Sequence, residues 1–182
     1  VGEDYHSNGQ LQSDAFVTSS IEDMLRDGDG ASLIPAKDGL YKRWFANGQL
    51  DNQETIVNGQ VDGLVSFWNM QGTLVAQGKQ SSDAYQGLWQ YWYDNGTKWA
   101  DEHYTDNQLD GLVKTWSEQG QLIDRLMYRK GEKQGMRTTW YENGQKRSVG
   151  PYKNDMMSGA WVFWHDNGRK WAQGKFENDE AI

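Results

Sequence analysis

The sequence has no cysteine, only 2 prolines in 182 residues, and 18 Lys+Arg against 26 Asp+Glu. Each shortage excludes something. Without cysteine there is neither a disulfide framework nor a thiolate metal site. A formal net charge of −8 lacks the basic face that a reader of phosphate backbones needs, so nucleic acid is not an expected partner. Hydrophobic residues are 36% of the chain and no apolar run approaches the roughly 20 residues of a membrane-spanning helix, so no transmembrane segment is expected. The chain begins at Val1, which is expected to lie downstream of an initiator methionine. What is abundant points elsewhere: 21 glycines, 10 tryptophans and 13% aromatics, too many rings for a solvated coil.

These residues are in step. Trp44, Trp68, Trp92, Trp116, Trp140 and Trp164 lie 24 residues apart. Five residues before each is a glycine, from Gly39 to Gly159, and four residues after each is another, from Gly48 to Gly168. With Gly39 as position 1, the unit reads Gly-Leu-x-x-x-Trp-x-x-Asn-Gly, followed by a second run with an aromatic at position 18 in most copies. A fixed period of this length is the signature of stacked supersecondary units. Six units are expected, at 39–62, 63–86, 87–110, 111–134, 135–158 and 159–182. Residues 1–38 hold a partial copy, in which Tyr5, Asn8, Gly9 and Leu11 match positions 6, 9, 10 and 12. Tyr5 and Trp44 are 39 residues apart, 15 more than one period, so an insertion at about 18–38 is expected. Ser19 with Glu22 is a capping-box pattern, and residues 21–26 ahead of Gly28 suit a short helix or an inserted loop.

Twenty-four residues are too few for a helix pair but fit a β-hairpin and a connecting turn. Asp94-Asn95-Gly96 and Glu142-Asn143-Gly144 have the chemistry of a type I turn closed by a glycine at positive φ. A second polar turn is expected around Asn58-Gly59 and its equivalents. The expected fold is all-β: an elongated antiparallel meander or solenoid of hairpins with a short N-terminal insertion.

A turn spanning positions 8 to 10 pairs 7 with 11, 6 with 12, and 2 with 16. Positions 2, 6, 12, 14 and 16 then share one face, with the in-step tryptophans lying over small residues such as Ala100 and Gly150. Positions 3, 5, 7 and 13 form the other face. There the third unit has Trp89, Tyr91, Tyr93 and Trp99, and the sixth has Trp161, Phe163, His165 and Trp171. The fifth has Arg137, Thr139, Tyr141 and Arg147 instead. Residues demanded by the scaffold recur, and these do not. The eight aromatic-cluster residues are therefore the candidate partner-binding site, with packing as a second layer the competing reading.

The run Trp-Tyr-Glu-Asn-Gly-Gln-Lys-Arg at 140–147, with its relatives at 44–51, 92–99 and 164–171, resembles the MORN repeat variant found in bacterial antitoxin-like and immunity-like proteins. The resemblance implies a sheet of hairpins and a role in contacting another protein, with no chemistry of its own. Gln71 and Gln119 depart from the Asn expected at position 9, which makes the second and fourth units locally atypical.

Catalytic and metal signals are absent from the pattern. His6, His103 and His165 have no metal-ligand spacing, and no nucleophile elbow or phosphate loop appears. Asp27-Gly28-Asp29-Gly30 lacks the alternating ligands of a calcium loop. No catalytic residue, metal or cofactor is expected, and the chain is not expected to be an enzyme. The expected function is binding of another protein, a toxic effector being the partner implied, in the bacterial periplasm or envelope or else the cytoplasm. The alternative is a carbohydrate or cell-wall ligand module whose rings stack on sugars.

Overall fold

The computed structural model describes the backbone of residues 3–5 and 11–15, and residues 38–182 in full. The expected insertion at 18–38, with its helix or loop, lies outside the described residues apart from Asp38. Among the described residues there are eighteen strands and no helix. The chain divides into two compact units, Val1–Tyr85 and Gln86–Ile182.

The first unit holds β1 (Glu3–Tyr5), β2 (Leu11–Ala15), β3 (Gly39–Trp44), β4 (Leu50–Val57), β5 (Gln60–Val61), β6 (Gly63–Trp68) and β7 (Leu74–Ser81). Strand β8 (Ala84–Trp92) carries the chain into the second unit. There follow β9 (Lys98–Thr105), β10 (Gln108–Leu109), β11 (Gly111–Trp116), β12 (Leu122–Arg129) and β13 (Glu132–Trp140). The last are β14 (Lys146–Lys153), β15 (Met156–Met157), β16 (Gly159–Trp164), β17 (Lys170–Glu177) and β18 (Glu180–Ala181). Each unit is an antiparallel meander in which sequential hairpins pair edge to edge.

The first turn of each hairpin follows from its Asn-Gly chemistry. In β3–β4, Gly48 N–H donates to Phe45 O at 2.9 Å and Phe45 N–H donates to Gln49 O at 2.8 Å. Gly48 sits at φ 85°, where a Cβ is strained, so glycine belongs there. The Asn47 side chain has two partners: its Oδ1 accepts from Gln49 N–H at 3.0 Å, and its Nδ2 donates to Met70 O of the next turn at 2.8 Å. Asn143 repeats both contacts, to Gln145 N–H at 3.0 Å and Asp166 O at 2.7 Å. Each such asparagine thus closes its own turn and ties it to the following one.

Where position 9 is glutamine, position 7 takes over. Asn69 Oδ1 accepts from Gln71 N–H and Thr73 N–H, and Ser117 Oγ accepts from Gln121 N–H. The second and fourth hairpins close the same turn with a different side chain.

The second turn is a two-residue turn with both residues left-handed, as at Asn58 (φ 53°) and Gly59 (φ 77°), or Asn154 (φ 50°) and Asp155 (φ 67°). This is the type I′ geometry whose twist matches paired strands. Aspartates in these turns also link successive hairpins: Lys133 N–H donates to Asp155 Oδ1 at 2.9 Å, and Met157 N–H to Asp179 Oδ1 at 2.6 Å.

Register decides which face is buried. Trp44 pairs with Leu50, position 6 with 12 as expected, but Arg43 then pairs with Asn52 and Leu40 with Thr55. A bulge at position 13 inserts one residue, so position 2 opposes 17 and not 16. The same shift recurs at Phe67/Trp68, Tyr91/Trp92, Thr115/Trp116, Thr139/Trp140 and Phe163/Trp164. One extra residue moves everything beyond it to the opposite face. Positions 14 and 16 therefore lie with 3 and 5, and the expectation that they underlie the in-step tryptophans is overturned.

The apolar residues that bury most completely confirm the exchange. They include Ile56 and Val65 in the first unit, and Trp89, Ala100, Leu126 and Trp161 in the second, at positions 18, 3, 14 and 16. The six in-step tryptophans are half-buried on the other face, beside exposed Leu64, Leu88 and Met136 at position 2.

The partial copy obeys the same rule. Tyr5 pairs with Leu11 and Asp4 with Ser13 across a bulge, and Ser13 pairs with Arg43 of the next hairpin. Register is kept across the inserted residues.

Candidate functional site

In the second unit a single row of paired residues runs across the sheet on the buried face. It reads Tyr91, Ala100, Thr115, Asp124, Thr139, Ser148, Phe163 and Ala172. Position 5 of one strand alternates with position 14 of the next. The row spans six strand steps from Tyr91 to Phe163, roughly 29 Å along the sheet at about 4.8 Å per step. Aromatic clusters stand at both ends and a polar stretch lies between.

The first cluster gathers all four expected residues of the third hairpin. Trp89 and Tyr91 stack with ring centroids 6.2 Å apart, and Trp99 meets Tyr91 edge-on at 5.6 Å and Tyr93 at 6.3 Å. The second repeats this in the sixth hairpin. Trp161 stacks on Phe163 at 5.8 Å, and Trp171 lies 5.6 Å from Phe163 and 6.2 Å from His165. Trp99 and Trp171 at position 13 stand on this face beside positions 5 and 7 by ordinary alternation from position 12, and the bulge then keeps position 14 on the same side.

The eight residues are not equivalent. Trp89 is 1% exposed and Trp161 3%, so neither indole offers surface to a partner. As surface anchors both are corrected: they are core. For Trp161 the cause is a glycine in the adjoining strand. A Cβ built on Gly150 would fall inside the Trp161 ring, and Trp161 Nε1–H donates to Pro151 O at 3.1 Å. Tyr152 closes on the same ring edge-on at 5.3 Å. By contrast Trp99 is 43% exposed and Trp171 59%, and His165 is exposed too. Tyr91, Tyr93 and Phe163 are half-buried beneath them.

Between the clusters lies an arrangement that aromatic content alone does not reveal. Arg137 donates through Nε to Asp124 Oδ1 at 3.0 Å and closes the pair through its terminal nitrogen, a two-point contact with both side chains about 30% exposed. The hydrogen bond to Asp124 is the main reason the guanidinium is held above its ordinary pKa, against the opposing effect of burial. Thr139 Oγ1 and Ser148 Oγ share a hydrogen bond at 2.7 Å. Arg147 sits 5.8 Å from the Tyr141 ring centroid. Arg137, Thr139, Ser148, Tyr141 and Arg147, together with Phe163 and Trp171, line a hollow of about 480 Å³. The available signal was the pair of arginines at positions 3 and 13 of the fifth repeat, where other repeats carry rings.

Burial also acts on tyrosines at position 18. Desolvation, with a 2.6 Å hydrogen bond from Tyr104 to Glu102, pushes the Tyr104 phenol well up, and Tyr128 is raised by burial first. His103 Nδ1 is 2.9 Å from Leu112 O. Among the described residues no group of three His, Asp or Glu is placed to hold a metal ion, and no helix is long and apolar enough to cross a membrane.

The asparagine that both closes its turn and reaches the next recurs at Asn47, Asn95 and Asn143. Three stretches match the MORN repeat variant: residues 37–58, 85–106 and 133–154. The matches are 48 residues apart, so they fall on every second hairpin, and each has asparagine at position 9, as the unmatched sixth hairpin also does at Asn167. The hairpins between them, with Gln71 and Gln119, keep the same bulge and pairing register as the MORN repeat variant stretches. Among curated proteins, none matches the chain. The matches are compatible with a non-enzymatic binding role, as MORN repeats are generally protein- or membrane-binding modules.

Proposed function

We propose that the chain is a non-enzymatic binding protein that grips another protein, and that its biological role is to neutralise a toxic bacterial effector. The observation that carries the binding reading is the pair of exposed indoles, Trp99 and Trp171, seated on rigid aromatic clusters of one sheet face. Rings held in place by packing lose little freedom on binding, and such rings dominate interface energies. The neutralising role draws on the net charge of −8, whose field speeds encounter with a basic partner. A bacterial periplasmic or envelope location belongs to the same proposal, and cell fractionation checks it.

The test is recovery of a partner by tagged full-length chain from lysate of its source organism, compared with a Trp99→Ser/Trp171→Ser variant of equal stability. The expected result is one protein, recovered about tenfold less by the variant, whose toxicity on expression is relieved by co-expressing the wild-type chain. Equal recovery by both chains removes the indoles from the interface. Undiminished toxicity removes the neutralising role.

A second reading has its own support, since an exposed indole beside a polar hollow, as at Trp171, also suits a sugar ring. Retention on a glycan array, abolished by Trp171→Ser, would favour it.

A further inference from the structure

The hollow beside Trp171 has a charge of the wrong sign for an acidic chain. Eight of the 18 Lys+Arg fall within residues 124–155, against four acidic side chains there. On the buried face of that stretch, Arg137 is neutralised by Asp124, but Arg147 and Lys133 are not: among the described residues neither has a carboxylate within 4.0 Å. Each is instead steadied over a ring, Arg147 over Tyr141 and Lys133 over Tyr152 at 5.5 Å. Tyr141 and Tyr152 both line the hollow. The distant negative charges that set the net value are screened beyond about 8 Å at physiological salt. Of the two cations that line the hollow, Arg137 is paired with Asp124, so Arg147 is the one that sets the charge a ligand meets there.

The floor adds a donor. In the Thr139–Ser148 pair one hydroxyl hydrogen is spent between the two oxygens, leaving the accepting hydroxyl a hydrogen to give. The walls, Phe163 and Trp171, are apolar and flat. A guanidinium and a hydroxyl donor on one side, with rings on the other, match a carboxylate adjoining an apolar group.

We propose that this hollow is a recognition subsite for an acidic side chain of a protein partner, a Glu or Asp followed by an aromatic residue. Its carboxylate binds Arg147 and the Thr139–Ser148 hydroxyls, and the neighbouring ring packs on Trp171 and Phe163. The proposal rests on the protein-binding reading above and adds the chemistry that the partner must present there. A partner that is basic overall must then carry one acidic–aromatic element in register with this site.

The probe is N-acetyl-Glu-Phe-amide, titrated into the full chain and followed by NMR at the Trp171 indole N–H and the Arg147 Nε–H. The expected result is saturable shifts at both, binding about fivefold weaker for N-acetyl-Gln-Phe-amide, and loss of binding in Arg147→Gln. Arg125→Gln, an exposed arginine on the opposite face, should bind as wild type. Equal affinity for the Glu and Gln peptides overturns the proposal, as does binding that survives Arg147→Gln or shifts confined to Trp99. Phosphatidylglycerol vesicles that bind wild type but not Arg147→Gln, with no peptide binding, would assign the site to a membrane and overturn it equally. The lysate recovery reports on the whole face through Trp99 and Trp171, whereas the dipeptide reports on the hollow alone, so the two readings fail separately.

Discussion

Position 3 of the fifth hairpin and position 3 of the sixth occupy the same place in the same turn-and-bulge frame, yet they hold opposite chemistry. At the fifth, Arg137 reaches across to Asp124 in a half-exposed ion pair. At the sixth, Trp161 lies over Gly150, with Tyr152 against its edge. The difference teaches that the backbone frame is indifferent to what fills this face, provided the neighbouring strand supplies the complement: a carboxylate for a guanidinium, an absent Cβ for an indole. The frame is held by turns and ladders, and the face is free to specialise.

Removing the ring should break the comparison hardest. Trp161→Ala is expected to destabilise the protein by about 3–5 kcal/mol, since a large buried ring leaves a cavity. Gly150→Ala is expected to cost about 1–3 kcal/mol by forcing the same ring aside. Denaturant midpoints at constant slope measure both, and a Trp161→Ala change under 1 kcal/mol would return Trp161 to the surface.

The ion pair should be the smaller loss. Asp124→Ala leaves Arg137 uncompensated, but partial exposure lets water replace the carboxylate, so about 1–2 kcal/mol is expected. The double change Asp124→Leu/Arg137→Met should return close to wild-type stability, because both charges go together. A double variant as unstable as Asp124→Ala alone would show that the pair, and not merely its balance, is required there.

Tyr104 sharpens the comparison from the side. Its folded-state pKa is raised above the ordinary 10.0, so the stability it contributes is complete below pH 10.0 and declines as pH rises through the higher folded value. Tyr104→Phe should cost about 0.5–1.5 kcal/mol at neutral pH through the lost Glu102 contact, and should flatten the alkaline decline. Unfolding followed by circular dichroism between pH 9 and 12 reads this out, and parallel curves for both proteins would exclude it. Smallest of all, Trp99→Ser and Trp171→Ser should each change stability by about 0.5 kcal/mol or less, as exposed side chains do. A thermal midpoint drop as large as that of Trp161→Ala would make them core.

Much of this was open to reading from the residues. The 24-residue step, the Asn-Gly turn, the second polar turn and the 6-with-12 pairing are all local, written in residue types whose φ preferences leave few alternatives. Even the glutamines at 71 and 119 signal a turn needing another side chain, and Asn69 and Ser117 stand two residues earlier. The candidate site was legible as two groups of four, since positions 3, 5, 7 and 13 do share a face. Which members are accessible was not, because access depends on what the next strand lacks: Gly150 is one residue among many until Trp161 is laid on it.

Sequence by itself determined the hairpins, because a turn is settled by the dihedral freedom of the few residues within it. Only the assembled sheet decided the inside. A bulge of one residue at position 13 reverses the side on which positions 14 and 16 stand, and nothing local in the alternation of side chains announces it. The packing of Trp161, the pairing of Arg137 with Asp124 and the hollow between them all follow from that reversal.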